Sequence, residues 1–199
     1  MKFRQFDLRI HDIQKITTLI IETAPWLFYL IFGKKKAHRR IQRLVQIGNN
    51  FFGKEHIYLA INNDDIYGLS LFYRGSDIDF WNEFKQILKA LDLTGFLRLI
   101  FLNKIFLRNL LTQNIGKSDL YFSNLVAESN HRGKGVGTFL FEKVIERAKQ
   151  LNCRTIILDV ETKNTIGINL YKRYGFAITK HRSSKLFKVE TYQMIKQLR

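Results

Sequence analysis

The stretch Asn124-Leu-Val-Ala-Glu-Ser-Asn-His-Arg-Gly-Lys-Gly-Val-Gly-Thr138 predicts a strand, a short polar turn and a helix that begins among alternating glycines. Gly133, Gly135 and Gly137 carry no side chain where a helix N-terminus presents its unpaired N–H groups. Such a terminus attracts anions through these donors and through the helix dipole. The stretch therefore predicts a site for a phosphate-bearing ligand.

The composition is typical of a folded, cytoplasmic protein. The chain has 199 residues, of which 46% are hydrophobic and only one is proline, which predicts a single domain over residues 1–199. The N-terminus alternates charged and apolar residues, unlike a signal peptide, and the apolar run at 26–32 is too short to cross a bilayer. The single cysteine, Cys153, excludes an intramolecular disulfide and belongs to no metal or nucleophile motif. We therefore expect a cytoplasmic location and no transmembrane segment.

The net charge of +16 limits the class of partner without choosing one. Such an excess suits nucleic acid, an anionic membrane surface, an acidic substrate or a polyanionic cofactor. The basic residues are scattered, apart from the clusters at 34–36 and 39–40. Nucleic-acid binding is disfavoured because the sequence has neither an aromatic–basic platform nor a recognition helix.

Apolar residues alternate with polar ones in the first predicted strand and form a nearly continuous run at residues 155–160. In the predicted helices they recur at every third or fourth position. The predicted strands cover residues 5–10, 56–61, 66–73, 120–127, 155–160, 176–179 and 187–195. The predicted helices run from an Asp12 cap to Pro25, and over residues 35–47, 80–91, 96–111, 136–151 and 164–174. Residues 62–65 predict a hairpin turn. This order of elements predicts an α/β domain.

Residues 77–117 interrupt that order with an apolar helical insertion. Its second helix, predicted from Phe96 to Leu111, is apolar on most faces and must pack against something. The sequence leaves four uses open: packing on its own domain, a homodimer surface, a wall of a substrate pocket, or contact with a membrane surface.

Three phosphate-binding motifs can be compared with the glycine stretch. No window supplies the Gly-x-x-x-x-Gly-Lys-Ser/Thr of a P-loop. The dinucleotide fingerprint Gly-x-Gly-x-x-Gly fails because its sixth position is Thr138 or Leu140 in the two available registers. The motif that fits is Arg-x-x-Gly-x-Gly, formed by Arg132, Gly135 and Gly137.

With this motif the chain resembles the GCN5-related N-acetyltransferase (GNAT) superfamily. A second match is Asn164-x-x-Gly-x-x-Leu-Tyr-x-x-x-Gly-Phe176, where the family usually has alanine in place of Gly167. The two motifs follow in the right order, and the resemblance is specific over residues 119–179. It implies an α/β fold with a mixed, mostly antiparallel central sheet flanked by helices, here with a helical insertion at about 77–117.

The resemblance also implies acetyl-CoA as cosubstrate, with no metal. The end of the strand before the glycines would pair its backbone with the pantetheine arm, and the glycine turn would hold the pyrophosphate. Asn164 and Tyr171 share a face of the helix predicted over residues 164–174, because they are two helical turns apart. The cofactor-binding residues implied in this way are Leu125, Val126, Ala127, Arg132, Gly133, Lys134, Gly135, Val136, Gly137, Thr138, Asn164 and Tyr171.

The implied chemistry is direct attack of an amine on the thioester. Tyr171 matches the family's general acid, which protonates the departing CoA thiolate. The amine must first lose a proton, and no single residue stands out as the base. The side chains considered for this role are Asp119, Tyr121, Ser123, Glu128 and Glu161.

The leading functional hypothesis is therefore an acetyl-CoA-dependent N-acetyltransferase acting on a primary amine of a protein, a peptide or a small metabolite. The alternative is a non-catalytic acyl-CoA-binding module on the same fold, which the absence of an obvious base and the apolar insertion would favour. The basic and apolar character of residues 11–55 and 77–117 favours a peptide N-terminus, a protein side chain or a neutral-to-acidic amine over polycationic acceptors.

Overall fold

The computed structural model of the chain describes residues 1–102, 104 and 115–198. Its seven strands form one open, mixed sheet in the order β1-β2-β3-β4-β5-β7-β6. Every neighbouring pair is antiparallel except β4 and β5, which are parallel. The strands are β1 Lys2–Gln5, β2 Ile57–Asn62, β3 Asp65–Arg74, β4 Asp119–Ala127, β5 Thr155–Glu161, β6 Ala177–Ser184 and β7 Val189–Gln197.

The helices of the described residues flank this sheet on both faces. They are α1 Ile13–Glu22, α2 Pro25–Phe32, α3 Ala37–Ile47, α4 Phe80–Ala90, α5 Leu93–Leu102, α6 Val136–Gln150 and α7 Thr165–Arg173. Helices α1 to α5 contribute to one hydrophobic core, while α6 and α7 cover the opposite face of β4 and β5. Side chains alternate accordingly along β4, because Tyr121 lies in the first core and Phe122 in the second. The mixed, mostly antiparallel sheet predicted from the resemblance is confirmed.

The first strand lies earlier than the predicted 5–10. Although Phe6 is buried, the chain turns at Asp7, whose carbonyl oxygen accepts from the amide of His11 at 3.0 Å. The Asp7 carboxylate also accepts from the backbone N–H of Arg9 at 2.9 Å. Ile10 is consequently 69% exposed. The alternating pattern was misleading because a local aspartate turn competes with strand formation.

The run at 26–32, for which no secondary structure is predicted, forms α2. Pro25 occupies the first turn, where its missing N–H costs nothing. Because the run is apolar on every side, it shows no helical period. Helix α2 is bent by 108° from α1, and by length and composition alone this broken pair could span a membrane. No single helix of the described residues is long and apolar enough to do so.

The break inside the insertion also differs from the prediction. Residues 93–95, predicted as an interruption, form the first turn of α5, and Asp92 accepts from the amide of Gly95 at 2.9 Å. Gly95 lies against Arg40, since an added Cβ would come within 2.7 Å of the guanidinium carbon. The predicted helix at 96–111 is confirmed as far as Leu102. Residue 103 and residues 105–111 of that prediction lie outside the described residues.

Candidate functional site

Strands β4 and β5 separate after a short parallel contact. Residues 119–121 pair with residues 155–157, and beyond them β4 stays paired only with β3, and β5 only with β7. Within the described part of the chain, residues 122–127 therefore have no partner strand on the side of β5. An unpaired strand edge offers N–H and C=O groups to an extended ligand. Residues 125–127, predicted to bind the pantetheine arm, lie on this open edge.

The turn after β4 is organised by Glu128. Its carboxylate accepts from the Ser129 hydroxyl at 2.8 Å and from the Asn130 amide at 2.9 Å, and lies 2.8 Å from Nδ1 of His131. These hydrogen bonds, that from Ser129 above all, lower the pKa of Glu128. The His131 ring stacks on Tyr67 at 3.7 Å between centroids. Glu128, one of the candidate bases, is therefore committed to holding the turn.

The glycines that follow form an open start to α6. Gly133 and Gly135 have φ angles of +75° and +79°, which residues with a side chain rarely adopt. An added Cβ at either residue, or at Gly137, would meet no atom within 4 Å. The first intrahelical bond runs from the amide of Phe139 to the carbonyl oxygen of Gly135, and no side chain of the described ranges caps the helix. The N–H groups of residues 136–138 thus have no intrahelical acceptor, as an anion site requires.

Two basic side chains belong to this turn. Arg132 donates through Nη2 to Glu22 at 3.1 Å and through Nε to the carbonyl oxygen of Ala127 at 3.3 Å. It therefore connects the turn to the end of α1. Lys134, between the two left-handed glycines, is exposed. The turn therefore carries the positive charge of Arg132 and Lys134, but Arg132 already has Glu22 as a carboxylate partner.

The start of α7 explains an unusual glycine of the second motif. Asn164 caps the helix by accepting from the amide of Gly167 at 2.9 Å. An added Cβ at Gly167 would lie 2.9 Å from Nδ2 of the same asparagine. The absence of a side chain at Gly167 thus leaves room for the cap.

The end of α7 has the geometry of a Schellman motif. Gly175, at a φ angle of +81°, donates to the carbonyl oxygen of Lys172 at 3.0 Å. Phe176 donates to the carbonyl oxygen of Tyr171 at 3.1 Å and is buried. This pair of bonds and the apolar residue beyond the glycine confirm the predicted helix end.

Tyr171 lies in the core between α6 and α7. Its ring centroid is 5.1 Å from that of Phe141, which in turn lies 5.5 Å from Phe122, the first residue of β4 beyond the separation from β5. Burial raises the pKa of Tyr171 to about 12, so the phenol stays protonated at neutral pH. Its hydroxyl has no hydrogen-bond partner in the regions that the structure describes. Tyr171 is therefore a protonated donor that Phe141 connects to the part of β4 beyond the separation.

A buried carboxylate that the sequence analysis missed lies on β5. Asp159 accepts from the Tyr121 hydroxyl and from Nη1 of Arg182, both at 2.9 Å, and its side chain is 3% exposed. Burial, more than the nearby Asp159, raises the pKa of Tyr121, so this phenol also stays protonated. An acidic residue inside an otherwise apolar strand was the available signal.

The junction of α1 and α2 bridges both separated strands. Trp26 donates through Nε1 to Glu161 at the end of β5, at 2.6 Å. Thr23 accepts through Oγ1 from Nδ2 of Asn124 on β4, also at 2.6 Å. One helical junction therefore contacts both arms of the opening. Neither contact was predicted, because each joins residues more than a hundred positions apart.

The remaining candidate bases have local partners. Asp119 accepts from the amide of Gly116 at 2.9 Å, and Ser123 donates to Oδ1 of Asn124 at 2.8 Å. Across residues 1–102, 104 and 115–198, no group of three or more His, Cys, Asp or Glu side chains could hold a metal ion.

Comparison with known proteins places these features in a family. The model of the acetyltransferase (GNAT) family matches residues 70–176, which include the open edge, the glycine turn and Tyr171. N-alpha-acetyltransferase 30 of Saccharomyces cerevisiae is 36% identical over 56 residues, or 28% of this chain and 32% of that protein. The chain thus spans about a third or less of the length of the curated relatives that it matches.

Solved structures share the whole fold at low sequence identity. An N-acetyltransferase from Staphylococcus aureus Mu50 has a TM-score of 0.73 and 18% identity, covering 98% of this chain and 100% of that one. A GNAT family acetyltransferase from Elizabethkingia anophelis with acetyl-CoA bound has a TM-score of 0.60 and 15% identity, covering 99% and 97%. With a family model that extends over more than half of its residues, this chain belongs to the acetyltransferase (GNAT) family.

Proposed function

We propose that this protein transfers an acetyl group from acetyl-CoA to a primary amine. The observation that carries the proposal is the continuity of two features within the family-matched region. The open edge of β4 leads through one turn into the uncapped, glycine-rich start of α6. An extended, amide-rich chain ending in a pyrophosphate is the ligand that such a surface would take.

The residues present fit CoA part by part. The backbone of residues 125–127 would pair with the pantetheine arm, as a strand pairs with its neighbour. The turn from Arg132 to Thr138 would hold the pyrophosphate, with Lys134 adding positive charge. The open space beside the three glycines leaves room for the phosphates. Oδ1 of Asn164 already accepts the capping bond, so Asn164 would contact the cofactor through its other side-chain atoms.

Acetyl-CoA, when bound, supplies an activated thioester that a neutral amine can attack directly. Tyr171 would hold a proton at its hydroxyl oxygen for the departing thiolate, since its raised pKa keeps it protonated. General acid catalysis of this kind typically contributes about 10²–10⁴-fold. The phenol is free to donate because no hydrogen bond engages it within the described residues.

The acceptor amine would enter beside the junction of α1 and α2. Glu161 and Glu22 lie there, and carboxylates attract a protonated amine before it is deprotonated. We infer that the acceptor is a peptide N-terminus, as the name of the yeast relative supports over a short shared region. Protein side chains and small amines are the competing acceptors.

The test is CoA release from acetyl-CoA, followed with a thiol reagent, by the purified protein and a panel of acceptors. The panel contains peptides with free N-termini, the same peptides N-terminally blocked but carrying lysine, and small amines. We expect turnover with free N-termini and none with the blocked peptides. Turnover only with blocked peptides or small amines would reject the acceptor assignment.

The same preparation tests the enzyme class. Binding of acetyl-CoA without turnover on any acceptor would overturn the catalytic proposal in favour of an acyl-CoA-binding module. A variant in which Arg132 and Gly135 are both replaced by glutamate should lose acetyl-CoA binding. Unchanged affinity in that variant would reject the glycine turn as the binding site.

A further inference from the structure

The outward faces of α4 and α5 are apolar and basic. Most of the large exposed apolar residues in the described part of the chain lie on these two helices, and Trp81, Leu93 and Phe101 are more than 60% exposed. The exposed apolar residues of the two helices are Trp81, Phe84, Leu88, Leu93, Leu97, Ile100 and Phe101. The exposed basic residues on or directly after these helices are Lys85, Lys89 and Lys104. Arg98 is also exposed, but its Nε donates to the carbonyl oxygen of Leu30 in α2. We call this surface the α4–α5 face.

The inward sides of both helices are anchored to the core. Ala90 and Leu102 are buried, and Ile87 packs against the same core cluster. Phe84 packs edge-on against Phe96 at 5.6 Å between centroids, which joins the two helices. The exposed apolar residues therefore form a second apolar surface on helices that already have a buried one. A cluster of exposed apolar residues of this kind marks an interaction site.

Two acidic residues of this region, Glu83 and Asp92, are engaged by other parts of the chain. Glu83 is 5% exposed and accepts from the amide of Phe51 at 3.2 Å, and burial raises its pKa to about 8. Asp92, between the helices, forms ion pairs with Lys36 and Arg40. Among the described residues of α4 and α5, no acidic side chain is exposed. Asp79, which precedes α4, is exposed, and its carboxylate accepts from the amides of Trp81 and Asn82. The exposed charges on the two helices themselves are therefore all positive.

This charge argues against self-association through the face. A two-fold dimer would bring the same patch against itself, so the lysines of one copy would face the lysines of the other. Like charges brought together in an interface disfavour it. Nucleic acid would neutralise the charge but has no apolar layer for Trp81 or Phe101. An anionic bilayer surface supplies lipid phosphates and an acyl region together.

We propose that the α4–α5 face docks on an anionic lipid bilayer surface. The apolar side chains enter the boundary between headgroups and acyl chains, and the lysine side chains extend along it to the lipid phosphates. The interaction is peripheral and reversible, and it does not depend on the acetyltransferase activity proposed above.

The test is co-sedimentation of the full chain with vesicles of phosphatidylcholine alone or mixed with phosphatidylglycerol. We expect roughly tenfold or greater preference for the anionic vesicles, which weakens as NaCl is raised. Trp81→Ser, Leu97→Ser and Phe101→Ser combined should abolish binding. The matched control, Ile10→Ser with Leu186→Ser, removes equally exposed apolar residues elsewhere and should bind as the parent does.

Circular dichroism of each variant shows whether it remains folded, since all substituted residues are exposed. Equal binding by the triple variant and the parent, or no binding of the parent to either vesicle, would overturn the proposal. A parent dimer in solution that the triple variant converts to monomer would assign the face to a second copy of the chain instead. Acetyl-CoA affinity should be the same in parent and triple variant, which separates this test from that of the proposed function.

Discussion

Arg132 of the glycine-rich turn and Glu22, the last residue of α1, form an ion pair of 3.1 Å. Both side chains are partly exposed, at 60% and 37%. The pair links the turn that would hold a pyrophosphate to the helix that would border the acceptor side. An arriving phosphate must therefore compete with Glu22 for Arg132, or rely on Lys134 for its positive charge.

Replacing Glu22 with glutamine should tighten CoA binding, because Arg132 becomes available to phosphate. An exposed ion pair contributes about 0.2–1 kcal/mol, so the gain should be at most about fivefold in Kd. Isothermal titration of CoA measures it. Glu146→Gln, which breaks an exposed pair with Lys143 on α6, should leave the Kd unchanged. An unchanged Kd in Glu22→Gln would mean that Arg132 keeps its carboxylate partner in the complex.

Gly137→Ala should separate folding from binding. The residue lies in the first turn of α6 with open space around it, so alanine should stabilise the helix by roughly 0.5–1 kcal/mol. The new methyl group would occupy space proposed for phosphate, and CoA affinity should fall by roughly tenfold, about 1.4 kcal/mol. Denaturant unfolding and CoA titration measure the two effects.

Gly68→Ala provides the contrast. There an added Cβ would lie 2.6 Å from the carbonyl oxygen of Val126, so stability itself should fall. If Gly137→Ala bound CoA as tightly as the parent, the helix start would not be the phosphate site.

Tyr171→Phe should reduce kcat by about 10²–10⁴-fold with little change in the Kd of acetyl-CoA. Folding should be nearly unaffected, because the deleted hydroxyl has no hydrogen-bond partner in the described chain. The control is Tyr174→Phe, because the hydroxyl of Tyr174 donates to Glu142 on the surface. It should lose a surface hydrogen bond and keep kcat. Equal kcat in the parent and Tyr171→Phe would remove Tyr171 from the mechanism.

Glu83 should make stability depend on pH. Burial raises the pKa of this carboxyl from 4.5 to about 8, so between these values the folded state holds a proton that the unfolded state has lost. The unfolding free energy should therefore fall as pH rises from about 5 to 8. Glu83→Gln should flatten this decline, because glutamine keeps an acceptor for the amide of Phe51 and carries no charge. Parallel slopes in parent and variant, measured by denaturant unfolding, would contradict the assignment.

Features decided within a few residues were predictable from sequence. Asp12 caps α1 as expected, and Asn63 and Asp64 adopt the left-handed angles of the predicted hairpin turn. Each depends on hydrogen bonds or backbone preferences inside one short segment. The prediction failed at residues 5–10 and at α2, where a side-chain turn and an all-round apolar helix obscure the period.

The same distinction between local and long-range features applies to the candidate site. The glycine turn and the motif from Asn164 to Phe176 were recognised from sequence because motif spacing and backbone conformation are local properties. The separation of β4 from β5, the Arg132–Glu22 pair and the Trp26–Glu161 contact were decided only by the tertiary structure. The last two pairs join residues 110 and 135 positions apart. Contacts of that range follow from how helices pack across a sheet, which no local pattern records.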